Sequence, residues 1–201
     1  TQIPSACIEA GVAMELLQAF LLIHDDIMDQ DTMRRGVRAM HDQYRASVHR
    51  TGVSEKRAKQ YGVSMGICSG DIAAFTAMHI LSELRTEPGI RSRVVELVSR
   101  EIVEVGLAQM QDVHLGYVAD AGVQAVLDVY TFKTGRYTFS LPLAIGAIIA
   151  DVDEGRVETL IRLGERLGRV FQIRDDLLGL YGDSDDTGKP VGSDIREDKK
   201  T

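Results

Sequence analysis

The hydrophobic positions of this chain recur at helical spacing in every long segment. Between residues 4 and 29 apolar side chains lie three or four positions apart, which predicts one largely buried helix. The same pattern predicts long helices over residues 55–84, 91–116, 122–149 and 154–181. The third of these four helices is expected to bend near Thr134-Gly135 and Pro142. Because no segment shows the sustained two-residue alternation of a strand, the chain is predicted to be an all-α helical bundle.

Two polar segments separate these helices. Residues 31–54 are polar and interrupted by glycine, which predicts a loop with short helical pieces, and residues 182–194 predict a second polar loop. The longest uninterrupted apolar run covers residues 141–150 and is too short to cross a bilayer, so no transmembrane segment is predicted. Because the sequence contains no linker-like segment and no internal repeat, residues 1–201 are predicted to form a single domain.

Composition and charge narrow the class of protein. Hydrophobic residues make up 44% of the chain and charged residues 26%, which is typical of a folded globular domain rather than a disordered one. The net charge of −7 argues against nucleic acid as a partner, because nucleic-acid-binding proteins present a basic face. Cys7 and Cys68 lack metal-type spacing and are predicted to be reduced core residues of a cytoplasmic protein.

A first cluster of carboxylates ends the first predicted helix. Asp25 and Asp29 are one helical turn apart and project from the same face, whereas Asp26 points about 100° away. Carboxylates at a helix C-terminus oppose the helix dipole, so this cluster costs stability unless it holds a cation. Hard oxygen ligands favour magnesium or calcium, and a solvated acidic helix end is the alternative. A calcium loop counted from Asp29 fails, because Arg34 occupies the position that requires glycine.

A second cluster and a set of basic residues complete the candidate chemistry. Asp175 and Asp176 follow an apolar stretch that contains Phe171 and Gln172. Two carboxylate clusters on opposite walls of a cleft could hold several magnesium ions with a diphosphate between them. Cations suited to phosphate oxygens, each with a plain surface role as the alternative, are Arg34, Arg35, Lys133, Lys189 and Lys199.

These motifs together resemble the polyprenyl synthetases, the trans-isoprenyl diphosphate synthase family. That family carries Asp-Asp-x-x-Asp followed by Arg-Arg-Gly, which is similar to Asp25–Asp29 and Arg34-Arg35-Gly36 here. Its later elements resemble Gln109–Asp112, Lys133-Thr134, Phe171–Asp176 and the lysine-bearing residues 188–201. The order and the rough spacing agree over essentially the whole chain.

The resemblance implies an isoprenoid-synthase helical bundle around a central cavity with two facing Asp-rich motifs. It implies condensation of an allylic diphosphate with isopentenyl diphosphate by a cytoplasmic homodimer whose contact face lies around residues 55–116. Three magnesium ions would be held by Asp25, Asp29 and Asp175, with Asp26 and Asp176 orienting the ligands. Substrate binding falls to Arg34, Arg35, Lys133, Gln172, Lys189 and Lys199, and dipoles of Lys133, Thr134 and Gln172 would stabilise an allylic cation.

Two departures from the family pattern lead to a further expectation. Gly179 stands where many members carry a third aspartate of the second motif, as it does in archaeal-type geranylgeranyl synthases. The family's upstream Gly-Lys-x-x-Arg element is absent from these residues, so we expect helices of the whole protein both before and after them. Other functions remain open: a farnesyl or longer polyprenyl diphosphate synthase, a class I terpene cyclase and a non-catalytic prenyltransferase subunit.

Product length is assigned to Phe20 and Leu21 by the same resemblance. Phe20 precedes Asp25 by five residues, or about 7.5 Å along a helix, and projects about 140° from it. Short-chain members use a bulky side chain just upstream of the first motif as a tunnel floor. A single aromatic residue beside Leu21 is similar to geranylgeranyl synthases, which predicts a C20 product with C15 as the alternative. From position alone, the favoured interpretation of Phe20 is an ordinary core aromatic.

Overall fold

The computed structural model describes residues 3–118 and 122–181, without the side chains of residues 179 and 180, and its architecture confirms the all-α prediction. Four of its long helices lie within three residues of the predicted bounds. They are α1 (Ser5–Met28), α3 (Glu55–Ser82), α4 (Pro88–Leu115) and α7 (Glu154–Tyr181). Pro88 begins α4, where its fixed φ and missing N–H suit the first helical position. The predicted polar loop at residues 182–194 lies outside the described residues.

The segment between α1 and α3 contains more structure than the predicted loop. Two short antiparallel strands, β1 (Met33–Arg34) and β2 (Val37–Arg38), form a hairpin with Arg34 opposite Val37. Its two turn residues, Arg35 and Gly36, have φ values of +51° and +77°, as a type I′ turn requires. Helix α2 (Met40–His49) follows. Strands of two residues are too short to produce a visible alternation, which is why the hairpin was not predicted.

The helix predicted over residues 122–149 changes its hydrogen-bonding pattern twice. It consists of α5 (Val123–Val129), a π-helix (Tyr130–Ser140) and α6 (Leu141–Ile149). Pro142 lies in the first turn of α6, where its missing N–H is tolerated. The predicted bend is therefore a π-helical segment, and it contains both Lys133 and Thr134. Long π-helices are rare and occur preferentially at functional sites.

The described chain comprises two compact units. Residues Ile8–Glu83 form the N-terminal unit, and the described residues before and after them form the C-terminal unit. In the N-terminal unit, glycines on α3 allow close approach by α1 and α2: a Cβ at Gly66 would lie 2.7 Å from Ile27 Cδ1, and one at Gly70 would overlap the His24 ring. The prediction of a single domain stays a prediction.

The C-terminal unit is built around the contact between the π-helix and α7. A Cβ on Gly168 of α7 would overlap Gly135 of the π-helix, and one on Gly164 would lie 2.5 Å from Ser140 Oγ. At these two positions of α7 the backbones therefore lie too close together for any residue that has a Cβ. Helices α4 and α6 pack beside them, and the core that results contains Val94, Val98, Leu141, Ala144 and Ile148. This packing places the Lys133 segment directly against the helix that carries the second acidic cluster.

Two further sequence-based expectations concern the cysteines and membrane-spanning segments. Cys68 is exposed on α3 and Cys7 is half-buried, so the prediction of two core cysteines is wrong for Cys68. By length and composition alone, α1 and α3 would suffice to cross a bilayer, a weak criterion that core helices also meet. The absence of a transmembrane segment therefore stays a prediction.

A buried carboxylate fastens the hairpin to α2 and α3. Asp42 is only 1% exposed, and each of its oxygens lies 2.5 Å from a guanidinium nitrogen, one from Arg38 at the end of β2 and one from Arg45. Arg45 also reaches Glu55 at the start of α3, at 2.8 Å. Burial alone would raise the pKa of Asp42, but the hydrogen bonds from Arg45 and Arg38 outweigh it and lower the pKa.

We predict that Asp42→Asn lowers the free energy of unfolding by about 2 kcal/mol at pH 7, because charge-assisted bonds to a buried carboxylate are lost. A carboxyl group with a lowered pKa contributes its full stability above about pH 4 and loses it as the pH falls towards the lowered value. The deficit of the variant, measured by urea unfolding, should therefore shrink below about pH 4.

The matched control is Glu55→Gln, which removes the exposed end of the same network. An exposed ion pair contributes little, so the control should cost less than about 0.5 kcal/mol. Equal losses in the two variants, or a deficit that does not change with pH, would contradict the role given to Asp42.

Candidate active site

The first acidic cluster lies where α1 is terminated by a Schellman motif. The N–H of Asp31 donates to Asp26 O at 2.9 Å and the N–H of Gln30 to Ile27 O at 3.4 Å, with Gln30 in the left-handed region at φ +57°. This termination reverses the chain immediately after Asp29. The hairpin that follows therefore returns Arg34 to the end of the helix.

Arg34 joins the hairpin to the cluster. Its Nε donates to Asp26 Oδ1 at 2.6 Å, and its Nη2 donates to Asp25 Oδ2 at 3.4 Å. Asp26 is 3% exposed, and this burial raises its pKa although the bonds and charge of Arg34 oppose the rise. Asp26 is thus a buried acceptor for Arg34, while Asp25 and Asp29 are partly exposed and accessible from solvent. Arg35 is exposed at the tip of the hairpin.

The second acidic cluster divides in the same way. Asp176 on α7 accepts one hydrogen bond on each carboxylate oxygen. Its Oδ1 accepts from Gln172 Nε2 at 2.9 Å, and its Oδ2 accepts from the hydroxyl group of Tyr130 on the π-helix. Asp175 is exposed. Adjacent residues on a helix point about 100° apart, so one carboxylate can be fixed against the protein while the other faces solvent.

Lys133 extends from the π-helix to α4, where its Nζ lies 2.5 Å from Asp112 Oδ2. Asp112 ends the Gln109–Asp112 element, so two motifs that the sequence analysis named separately are in contact. Two residues further on from Thr134, Arg136 forms a bidentate pair with the buried Glu101 at 2.9 and 2.7 Å. These two ion pairs hold the π-helix to α4 and limit the positions open to Lys133 and Thr134.

The residues assigned to product length lie on a half-buried face of α1. The Phe20 ring packs edge-on against His24 with a centroid distance of 4.8 Å, and His24 Nε2 lies 3.2 Å from Ile67 O on α3. Leu21 is also half-buried. Lys189 and Lys199 lie outside the described residues. The sequence analysis did not identify Tyr130 as part of this region, because tyrosine at that spacing carries no signal by itself.

The accessible carboxylates fit magnesium in type but not as a complete site. Among the described residues, no group of three His, Cys, Asp or Glu side chains is close enough to bind a metal ion. Asp25 and Asp29 are partly exposed and Asp175 is exposed, so their carboxylate oxygens can be reached from solvent, whereas Asp26 is buried and Asp176 accepts a hydrogen bond on each oxygen. Magnesium is commonly held by one or two carboxylates together with water and phosphate oxygens, so this donor set suits it.

These features define an all-α protein whose two aspartate-rich helix ends carry accessible oxygen ligands, with an arginine hairpin at the first. The family model described as polyprenyl synthetase matches residues 2–201, and the chain belongs to that family.

The chain is similar to geranylgeranyl diphosphate synthase of Sulfolobus acidocaldarius, with 37% identity over 96% of the chain and 53% of the relative. It is also 32% identical to geranylfarnesyl diphosphate synthase of Natronomonas pharaonis, over 96% of the chain and 52% of the relative. The crystal structure of geranylgeranyl pyrophosphate synthase from Corynebacterium glutamicum, complexed with isoprenyl diphosphate and magnesium, superimposes with a TM-score of 0.90 at 36% identity, covering 96% of this chain and 54% of that one. The chain thus spans about half the length of these relatives.

We predict that magnesium together with inorganic pyrophosphate raises the melting temperature of the full-length protein, because ligands that bind only the folded state stabilise it. Asp25→Asn should abolish most of that increase while the melting temperature without ligand changes little. Thermal unfolding followed by circular dichroism measures both quantities.

The control is Asp71→Asn, since Asp71 is exposed on α3 beside His24. It should keep the full increase. An increase of the same size in Asp25→Asn would show that this carboxylate does not contribute to the metal site.

Proposed function

We propose that the full-length protein is a magnesium-dependent short-chain trans-prenyltransferase that joins an allylic diphosphate to isopentenyl diphosphate and releases pyrophosphate. The observation that carries the proposal is the end of α1, where accessible Asp25 and Asp29 lie beside an arginine already directed at the cluster by the hairpin. Relatives named geranylgeranyl diphosphate synthase support it, and so does a related structure that contains isoprenyl diphosphate and magnesium.

Each cluster supplies a different part of the binding chemistry. Asp25, Asp29 and Asp175 would hold the magnesium ions of the allylic diphosphate, while Asp26 and Asp176 keep the neighbouring helix ends in place through Arg34, Tyr130 and Gln172. Magnesium, when bound, supplies the Lewis acidity that stabilises charge on departing pyrophosphate.

The cations of the chain would bind the two diphosphates, and its dipoles would stabilise the allylic cation. Lys133 is held by Asp112 within the π-helix and would neutralise the leaving diphosphate together with Arg34. Arg35, exposed at the hairpin tip, is proposed to contact isopentenyl diphosphate. Dipoles of Thr134 and Gln172 would stabilise the allylic cation until the isopentenyl double bond attacks it. Loss of a proton to the released pyrophosphate, which is the proposed base, then restores the alkene.

Geranylgeranyl diphosphate is the proposed product, with farnesyl diphosphate as the alternative. Several similar relatives are named for the C20 product, but others are named for C25 and C15 products. Membership of the family therefore does not determine product length by itself. A terpene cyclase is disfavoured because the second motif carries two adjacent aspartates, and a non-catalytic subunit because the metal ligands are present.

Chromatography of the products made by the full-length protein tests the proposed function. With an allylic diphosphate, isopentenyl diphosphate and magnesium, we expect a C20 diphosphate. Asp175→Ala should lower turnover by about 10³-fold, comparable to the loss of one electrostatic stabiliser of the transition state. Product formed without isopentenyl diphosphate would identify a cyclase, and normal turnover of Asp175→Ala would refute the metal assignment.

A second copy of the chain is the proposed partner, and the cytoplasm the proposed location. On α4, apolar side chains at helical spacing are exposed to solvent: Val103 is 61% exposed, Leu107 56% and Met110 71%. A row of this kind is typical of a protein–protein contact. Light scattering of the full-length protein tests the homodimer, since a mass equal to one chain would contradict it.

We predict that Phe20→Ala shifts the products of the full-length protein to longer chains and changes turnover by less than about tenfold. Removing a half-buried aromatic ring beside His24 opens space along α1, whereas the carboxylates at its end stay in place. Chromatography of the chain lengths measures the shift.

Leu16→Ala serves as the control, because Leu16 is half-buried one helical turn before Phe20. It should leave the product distribution unchanged. If Phe20→Ala gives the same products as the parent protein, Phe20 is core packing and product length is determined elsewhere.

A further inference from the structure

Tyr130 is the first residue of the π-helix, and the proposed reaction gives it no contact with substrate or metal. Its side chain is buried, with 9% exposed, and its hydroxyl group donates to Asp176 Oδ2. Asp176 Oδ1 accepts from Gln172 on the same helix, α7. Each oxygen of this carboxylate therefore already accepts one hydrogen bond from the protein. A carboxylate held in this way acts as a fixed point within the C-terminal unit rather than as a mobile ligand.

The contact lies at one end of a short series of links between the π-helix and α7. Gly135 and Gly168 bring the two backbones together, and Arg169 Nε donates to Thr131 Oγ1 at 3.0 Å. Tyr130–Asp176 is the link furthest along α7 among those in the described residues. It is also the link adjacent in sequence to Asp175.

The Tyr130–Asp176 hydrogen bond lies where it can fix the position of the last turns of α7. Beyond Gly168 the helices no longer touch through glycine, so side chains must set the rotation and position of the last turns of α7. A hydrogen bond to an ionised carboxylate is stronger and more directional than one between neutral groups. The tyrosine side chain has few rotatable bonds, so its hydroxyl group holds Asp176 at a nearly fixed distance from the π-helix backbone. Lys133 lies only three residues from Tyr130 on that π-helix.

We propose that Tyr130 is a positioning residue for the metal and allylic diphosphate site: through Asp176 it holds Asp175 at a defined position relative to Lys133. This inference rests on the proposed function, because it assigns Asp175 to magnesium and Lys133 to the diphosphate. Substitution of a residue that orients a metal ligand, without itself binding the metal, commonly lowers metal affinity about as much as activity.

The test is Tyr130→Phe in the full-length protein, which removes one hydroxyl group and keeps the ring. We expect the magnesium concentration for half-maximal turnover and the KM for the allylic diphosphate to rise roughly tenfold, the lower end of what loss of a ligand-orienting partner produces. kcat should fall less than about threefold, and the KM for isopentenyl diphosphate should stay within about twofold.

Tyr137→Phe is the matched control, because Tyr137 is a second buried tyrosine of the same π-helix, 7% exposed and seven residues further along. Both variants should lose similar thermal stability without ligand, but only Tyr130→Phe should change the magnesium dependence. In a protein that already carries Asp176→Asn, Tyr130→Phe should add no further change, since both act through one hydrogen bond.

The outcomes separate the inference from the proposed function. If the parent protein makes no prenyl product, the proposed function fails. The inference is then tested by the increase in melting temperature that magnesium with inorganic pyrophosphate causes. Tyr130→Phe must reduce that increase, and Tyr137→Phe must leave it unchanged. If the parent protein is active and Tyr130→Phe keeps its magnesium dependence, the inference is wrong. A loss of stability alone, equal in the two variants, would likewise assign Tyr130 to core packing.

Discussion

The hydrogen bond from Arg34 to Asp26 is the interaction on which the arrangement of the first acidic cluster depends. Four acidic residues near the C-terminus of α1 oppose both the helix dipole and one another. The Schellman motif at Gln30 turns the chain back, and the type I′ turn at Arg35 and Gly36 allows β1 to present Arg34 to the helix end. Without that cation, a carboxylate that is 3% exposed would carry most of its desolvation cost unopposed.

The C-terminal unit achieves a comparable arrangement with glycine and neutral donors. Gly135 and Gly168 allow the π-helix and α7 to approach closely, which brings Tyr130 and Gln172 within reach of Asp176. In both units one aspartate of an adjacent pair is satisfied by the protein. Its neighbour points about 100° away around the helix and is at least partly exposed. An adjacent pair thus combines an anchor with a potential ligand.

Much of this architecture could be predicted from the sequence, because it depends on the helical spacing of apolar residues and on motifs that occur in a specific order along the chain. The long helices follow from apolar spacing, and the different directions of the Asp25 and Asp26 side chains follow from the helical period. The hairpin could not be predicted, since strands of two residues leave no pattern. Lys133–Asp112 and Tyr130–Asp176 could not either, because each joins residues at least 21 positions apart and depends on how helices pack. The π-helix was visible only as an expected bend near Thr134 and Pro142.

The distribution of charge explains why the protein needs both kinds of carboxylate. Accessible aspartates repel one another when no metal is present, whereas a buried aspartate that already accepts hydrogen bonds has fewer lone pairs left for a metal ion. In the described residues the buried carboxylates Asp26 and Glu101 are each matched by an arginine, and Asp112 by Lys133. The exposed ones, such as Asp175, keep part of their hydration, so their repulsion is screened. Within each short motif, the carboxylate that the protein itself satisfies and the carboxylate proposed to bind magnesium are therefore different residues, so the chain can fold before it binds a cation.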